Sequence, residues 1–343
     1  MPVFTDPFHR AVYLTGPTAS GKSAVGVALA RRLGAEIVAL DSMTLYRGMD
    51  VGTAKPTEDE RGEVPHHLID VLDPWESANL SQYRAWAAEA VEKIEKRGKK
   101  ALFVGGTPLY LKALLRGLFD GPGANPALRR ELEDEADRLG DEALHARLAT
   151  IDPLSAARLH PRDRRRVIRA LEVSSATGRP LSHWQTEHDR PAPAGVAVFA
   201  LERPREALRE RIDRRVVQMF ADGLIDEVRR LDAAPRPLGP VAAQGVGYKE
   251  VLALLSGQIT PGDAVTLVQA RTRQFSKRQR TWFRGLAEVQ PWPIPGAETP
   301  EDTARALADR IEGSEERVSD YLPSIFAPKK MTIAPRTPPP HSK

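Results

Sequence analysis

Apolar residues in this chain come as short continuous runs in some places and as helical stripes in others. Ala11-Val12-Tyr13-Leu14 is uninterrupted and short, which predicts a strand buried on both faces. Glu36 to Leu40, a brief run from His67 to Ile69, and Ala101 to Val104 predict three more. The intervals Ser23 to Leu33 and Leu80 to Lys96 contain helix formers without proline and predict helices. Strands alternating with helices predict a parallel sheet covered on both faces, with strand order left open.

Punctuation at Asp120-Gly121-Pro122-Gly123 ends this block, and from Pro126 to Thr177 helix follows helix. Gly178-Arg179-Pro180 and Arg190-Pro191-Ala192-Pro193 punctuate again before Val196 to Leu201, which predicts a returning strand. From Pro204 to Leu231, Leu208, Ile212, Val216 and Met219 keep a helical stripe that Gly223 ends or kinks. The predicted organisation is an α/β core from residues 1–119 and 196–315, interrupted by an all-helical insertion domain at 120–195. Residues 316–343, rich in proline towards the end, are expected to be a disordered tail.

Of 343 residues, 41% are hydrophobic, enough for a large core, yet no stretch has the ~18 apolar residues of a membrane span. The start of the chain has no signal-peptide pattern, and there is no cysteine, so disulfides and thiolate metal sites are excluded. A cytoplasmic monomer is the expectation. The net charge of +4 is modest, but arginines cluster, which matters more for a phosphate-rich partner.

Chemistry enters at Gly16-Pro17-Thr18-Ala19-Ser20-Gly21-Lys22-Ser23, a complete phosphate-binding loop between a predicted strand and a predicted helix. Its glycines let the backbone turn N–H groups inward. Lys22 adds a point charge, and the Ser23 hydroxyl suits the Mg²⁺ that accompanies a diphosphate or a nucleotide such as ATP. The core is therefore P-loop NTPase-like. Asp41 follows the second predicted strand and has three readings: a Mg²⁺-holding acid, a general base, or the cap of a turn. Gly105-Gly106-Thr107 follow the fourth, where the glycines allow close backbone approach to a ligand and Thr107 presents a hydroxyl at the same rim; a tight strand-to-helix turn with Thr107 as cap and Pro108 at the first helical position is a compatible reading. No strand offers the Asp-Glu pair of water-activating ATPases, which leaves transfer to another acceptor, or nucleotide switching.

Two basic stripes point to nucleic acid. Arg162, Arg165, Arg166 and Arg169 fall on one predicted helix face, and Arg273, Lys277, Arg280 and Arg284 on another. Phe275 and Trp282 share a further face of the second helix and read first as core. Arg203 to Arg215 is interleaved with Glu206, Glu210 and Asp213 and reads as a self-paired solvated face, while His66-His67 lacks metal spacing.

These motifs, with Asp41-Ser42-Met43, Tyr46 to Pro56, His67 to Asp70, Val104 to Tyr110, Arg169 to Glu172, Val246 to Lys249 and Arg273 to Gln279, resemble the bacterial tRNA dimethylallyltransferase (isopentenyltransferase) family in collinear order over residues 11–290. The resemblance implies transfer of a dimethylallyl group from dimethylallyl diphosphate to N6 of the adenosine just 3′ of the tRNA anticodon. It implies a channel entered from opposite ends by the two substrates, Asp41 as base on N6, and Thr107 beside the reacting groups. It also implies tRNA contacts for Asp41, Ser42, Met43, Thr44 and Thr107, for Arg129, and for Arg165, Arg166, Val167, Ile168 and Arg169. Thr44 stands where the family more often has Gln, and the zinc finger of eukaryotic members is absent. A small-molecule kinase, a prenyltransferase acting on free AMP, and a nucleotide-gated RNA-binding protein are the alternatives. The first two have no use for the arginine stripes, and the third makes no product.

Overall fold

Four of the buried runs become the strands they predict, whereas the one expected from His67 to Ile69 gives only a half-buried two-residue strand at His66–His67. In a computed structural model, which describes residues 5–118, 121–123, 125–187, 190–296 and 298–325, these are β1 (Val12–Thr15), β2 (Ala35–Ala39), β3 (His66–His67), β4 (Lys100–Val104) and β5 (Ala197–Glu202). A sixth, β6 (Gln290–Pro293), has no apolar run to announce it. Its two prolines are tolerated because it pairs only with β5, at the sheet edge, where missing N–H groups face outward. All pairings are parallel, in the order β3-β2-β4-β1-β5-β6.

The helices of the core are α1 (Pro7–Arg10), α2 (Lys22–Leu33), α3 (Glu58–Glu63), α4 (Leu80–Lys96) and α5 (Pro108–Arg116) before the insertion. The insertion holds α6 (Pro126–Leu139), α7 (Asp141–Ile151), α8 (Pro153–Arg158), α9 (Arg164–Thr177) and α10 (Leu181–Glu187). After β5 come α11 (Arg205–Ala221), α12 (Leu224–Asp232), α13 (Tyr248–Leu255), α14 (Pro261–Arg284) and α15 (Pro300–Ile325). Gly223, at positive φ, separates α11 from α12 as its position suggests.

Two apolar clusters flank the sheet. One joins Tyr13, Val38, Phe103 and Val198 to Tyr83, Leu111, Val228 and Tyr248; the other joins Leu14, Ile37, Leu102 and Phe199 to Leu29, Leu307 and Ile311. The helical segment between α5 and β5 builds a core of its own around Leu132, Leu148, Val167 and Leu171. The buried pair Arg116–Glu288 stands beside its base, with Glu288 also accepting the N–H of Ala192 on the returning strand's approach.

The tail boundary needs correction. Helix α15 continues to Ile325, so residues 316–325 are helical; Ser314 to Leu322 contain helix formers and no proline, and nothing local stops the helix there. Asp120 and the proline-rich end from Ile333 lie outside the described residues.

Candidate active site

Three loops that carry chemistry leave the carboxyl ends of three adjacent strands. Leu14, Val104 and Ala39 lie side by side in the sheet, because β4 is inserted between β1 and β2. The phosphate loop follows β1, Asp41 follows β2, and Gly105-Gly106-Thr107 follow β4 between them. Asp41 thus reaches the phosphate loop across the β4 loop, not as an immediate neighbour. Gly105 is obligatory in this arrangement, since a Cβ there would stand 2.1 Å from Leu40 O.

The phosphate loop is held from outside. Gly21 caps α2 at φ 97°, a conformation that L side chains rarely adopt. Arg211 Nε donates to Ala19 O and Arg203 Nε to Ser20 O, both at 2.8 Å. A trans peptide points C=O and N–H in opposite directions, so anchoring Ser20 O to Arg203 turns the Gly21 N–H the other way. The segment Arg203 to Arg215 is therefore no self-paired solvated face. Acids sit among its arginines in sequence, but Arg211, Arg214 and Arg215 project together along α11 towards the loop.

Burial lowers the pKa of Lys22 to about 8; the Asp41 charge opposes this and Arg215 reinforces it. Burial also lowers that of Arg215, again against Asp41. One carboxylate thus faces two desolvated cations. Asp41 Oδ1 accepts the N–H of Met43 at 2.9 Å, so the turn-capping reading is realised and coexists with a place in the cavity wall. Thr107 does not cap α5 with its side chain; its Oγ1 accepts the N–H of Ser42 at 3.1 Å and locks the Asp41 turn to the β4 loop. Ser42, Met43 and Thr44 line the same cavity, Thr44 largely buried.

Two cavities meet here. An open cleft of about 830 Å³ is lined by Lys22, Ser23, Arg61, Arg211, Arg214 and Arg215. A narrower one of about 400 Å³ is lined by Lys22, Ser23, Asp41, Thr107, Gln244, Phe275 and Arg278. Lys22, Ser23 and Arg215 belong to both, so together they form one passage with a cationic mouth. Val27, Ile37, Ala39 and Val104 give the inner part an apolar wall. Among the described residues no group of three or more acidic or histidine side chains forms a metal cage. Ser23, in the first turn of α2 and lining both cavities, fits Mg²⁺, which takes few protein ligands and completes its shell with water and substrate phosphates.

The loop from Asp50 to Pro56 lines both cavities, and its supports were not legible in the sequence. Buried Glu227 accepts the N–H groups of Asp50, Val51 and Gly52 at 2.7–3.1 Å and the Tyr248 hydroxyl at 2.6 Å. Lys55, its side chain 1% exposed, donates to Asp50, Asp70 and the Tyr46 carbonyl. No spacing rule links residues so far apart. Of the four described non-glycine residues at positive φ, Ala19 lies in the phosphate loop and Ala54 in this one, while Leu68 and Asp70 follow β3, Asp70 as a partner of Lys55.

The insertion revises the first basic stripe. Helix α9 begins only at Arg164, so Arg162 lies in the preceding turn, off the expected face. Arg169 is not free: it donates to Glu172 and to Pro122 O. Arg129 forks onto the same fully buried Glu172 through Nε and Nη2, at 3.0 and 2.9 Å. Val167 and Ile168 point into the insertion's core, so their side chains are not available for RNA. Arg165 and Arg166 remain exposed.

On α14, Arg273 pairs with Asp213 and Arg284 with Glu202, yet both still line a basic groove with Lys277, Arg280 and Arg205. Phe275 and Trp282 are not core: Phe275 lines the passage beneath Arg278, and Trp282 is 40% exposed. His66 and His67 bond to Val64 O and Glu36.

The family model described as IPP transferase matches residues 44–286. The chain belongs to this family. It is 48% identical to the tRNA dimethylallyltransferase of Geobacter metallireducens over 290 residues, 84% of this chain and 93% of that protein. Against the tRNA dimethylallyltransferase of Rhodopirellula baltica, identity is 43% over 297 residues, covering 84% and 89%. The crystal structure of the full-length tRNA isopentenylpyrophosphate transferase of Bacillus halodurans superposes with a TM-score of 0.68 at 37% identity, covering 92% of this chain and 99% of that one. A eukaryotic dimethylallyltransferase caught acting on tRNA superposes with a TM-score of 0.69 at 25% identity, over 94% and 81%. The parallel sheet, the helices on both its faces and the phosphate loop are thus those of a family of enzymes.

Proposed function

We propose that this protein transfers the dimethylallyl group of dimethylallyl diphosphate to N6 of the adenosine immediately 3′ of the anticodon in tRNA. The observation that carries this reading is the passage itself. The phosphate loop and four arginines line its open part, and Asp41, Thr107, Phe275 and Arg278 line its narrower part.

The donor's diphosphate sits in the inward-facing loop and its allyl chain lies against the apolar wall. As the allylic C–O bond breaks, negative charge gathers on the departing diphosphate. Lys22, Arg215 and the loop N–H groups meet that charge where it develops, so they stabilise the transition state more than the ground state. Ser23 would hold Mg²⁺, which when bound would supply further neutralisation of the departing diphosphate. The adenine enters from the other side, N6 forms the new bond to the allylic carbon, and Asp41 takes the N6 proton. Phe275 offers a stacking face for an unstacked base, while Arg165, Arg166 and the α14 groove supply cations for the RNA backbone. The reading extends to a protein that works as a monomer in the cytoplasm, where its tRNA substrate would be met.

Diphosphate release from dimethylallyl diphosphate tests this reading, measured with Mg²⁺ and either an anticodon stem-loop or free AMP as acceptor. Release that depends on the stem-loop supports it. Release with AMP alone, or preferential turnover of ATP, contradicts it.

A further inference from the structure

Gln279 stands on α14, far along the chain from the phosphate loop, yet its amide is built into that loop. Oε1 accepts the N–H of Thr18 at 2.8 Å, and Nε2 donates to Gly106 O at 2.6 Å. The residue is 2% exposed and lies in the passage wall. The primary amide satisfies both partners at once, because one backbone group is a donor and the other an acceptor, and of its two orientations only this one does so. The neighbours conform to it. A Cβ on Gly106 would stand 2.6 Å from Nε2, with Gly16 O and the Lys22 side chain close behind. The second glycine after β4 therefore leaves room for the amide.

We infer that Gln279 is a positioning residue for the donor site: it ties the phosphate loop to the β4 loop and so fixes where Lys22 and Thr107 stand relative to one another. The inference rests on the donor site proposed above. By occupying the Thr18 N–H, the amide also removes that donor from the set facing the phosphates. Four residues earlier Phe275, and next to it Arg278, line the same cavity where the proposed function puts the acceptor, so one turn of α14 would border both substrates' sites. Its aromatic and cationic members face the acceptor, whereas Gln279 bonds only backbone of the donor-side loops.

The test uses Gln279→Met, which keeps length and loses both bonds, and Gln279→Glu, which keeps the acceptor but opposes a carboxylate to Gly106 O. Binding of inorganic diphosphate with Mg²⁺ is measured by calorimetry, and binding of an anticodon stem-loop by anisotropy. Losing two neutral hydrogen bonds that shape the loop predicts diphosphate binding about tenfold weaker for Gln279→Met. Gln279→Glu weakens it further, and the KM for dimethylallyl diphosphate rises in step. Stem-loop affinity stays within about twofold, the scatter of remote substitutions. Unchanged diphosphate affinity with lowered thermal stability overturns the inference in favour of a purely structural bond. So does lost stem-loop affinity with diphosphate binding intact. Failure of the unmodified protein to bind diphosphate is a separate outcome, and it rejects the donor site together with the inference. If Gln279→Glu does not fold, Gln279→Met alone decides.

Discussion

Replacing Lys22 with methionine separates stability from function in a way that the site's electrostatics fix in sign. Burial lowers the Lys22 pKa from its ordinary 10.5 to about 8 in the folded chain, whereas the unfolded chain keeps the ordinary value. At pH 7 the ammonium is charged in both states, and the folded state carries the cost of desolvating it. At about 1.4 kcal/mol per tenfold change in proton affinity, that cost is roughly 3 kcal/mol. The side chain faces a cavity, so water screens part of it and the figure is an upper limit. Between pH 8 and 10.5 the unfolded chain binds more protons than the folded one, so stability rises with pH across that window and levels off above it. Lys22→Met removes the cost outright. Without ligands at pH 7 the variant should unfold several degrees higher than the unsubstituted protein, at about 2 °C per kcal/mol for a chain of this size. The advantage should shrink as pH approaches 10.5. Turnover should fall by at least about 10²–10³, the usual loss for one donor to a developing anion. Thermal unfolding at pH 7 and pH 10, with single-turnover kinetics, measures both. A variant less stable than its parent at pH 7, or one with near-normal turnover, refutes the reasoning.

Asp41→Asn should cut turnover by about 10²–10⁴ and leave Mg²⁺–diphosphate affinity nearly unchanged; weakened diphosphate binding in calorimetry would instead favour a metal-holding acid. Replacing Arg165 and Arg166 with alanine should weaken RNA binding and flatten the slope of log affinity against log salt by about 0.7 per lost contact. An unchanged slope means those two side chains are merely solvated. Glu227→Ala leaves three loop N–H groups and the Tyr248 hydroxyl without their acceptor, and urea unfolding should show a loss of about 3 kcal/mol or more. A loss under about 1 kcal/mol would mean that water replaces the carboxylate.

The sequence was most informative where a function compresses into a short segment. The phosphate loop, Asp41 and Thr107 each lie at the end of an apolar run, and period and punctuation locate such ends. The residues that hold those groups in place were hidden, because Glu227, Lys55, Gln279 and Arg211 act across the fold through single long-range bonds. Arg203 to Arg215 misled because alternating charges on one helix look self-satisfied until α11 is seen against the phosphate loop. The Arg162 to Arg169 stripe misled for the opposite reason. Helical spacing put four guanidiniums together, but the helix starts two residues after Arg162, and the buried Glu172 draws Arg169 and Arg129 inward. β6 was invisible because an edge strand with alternating prolines carries no apolar signal.

The central claim is tested most directly by mass analysis of the RNA product. The protein is incubated with Mg²⁺, dimethylallyl diphosphate and an unmodified anticodon stem-loop, and the digested nucleosides are weighed and placed in sequence. The account predicts an adenosine heavier by one C₅H₈ unit, only at the position 3′ of the anticodon, and none when that adenosine is replaced by guanosine. An unmodified stem-loop, or the same gain on adenosines throughout the RNA, would contradict it.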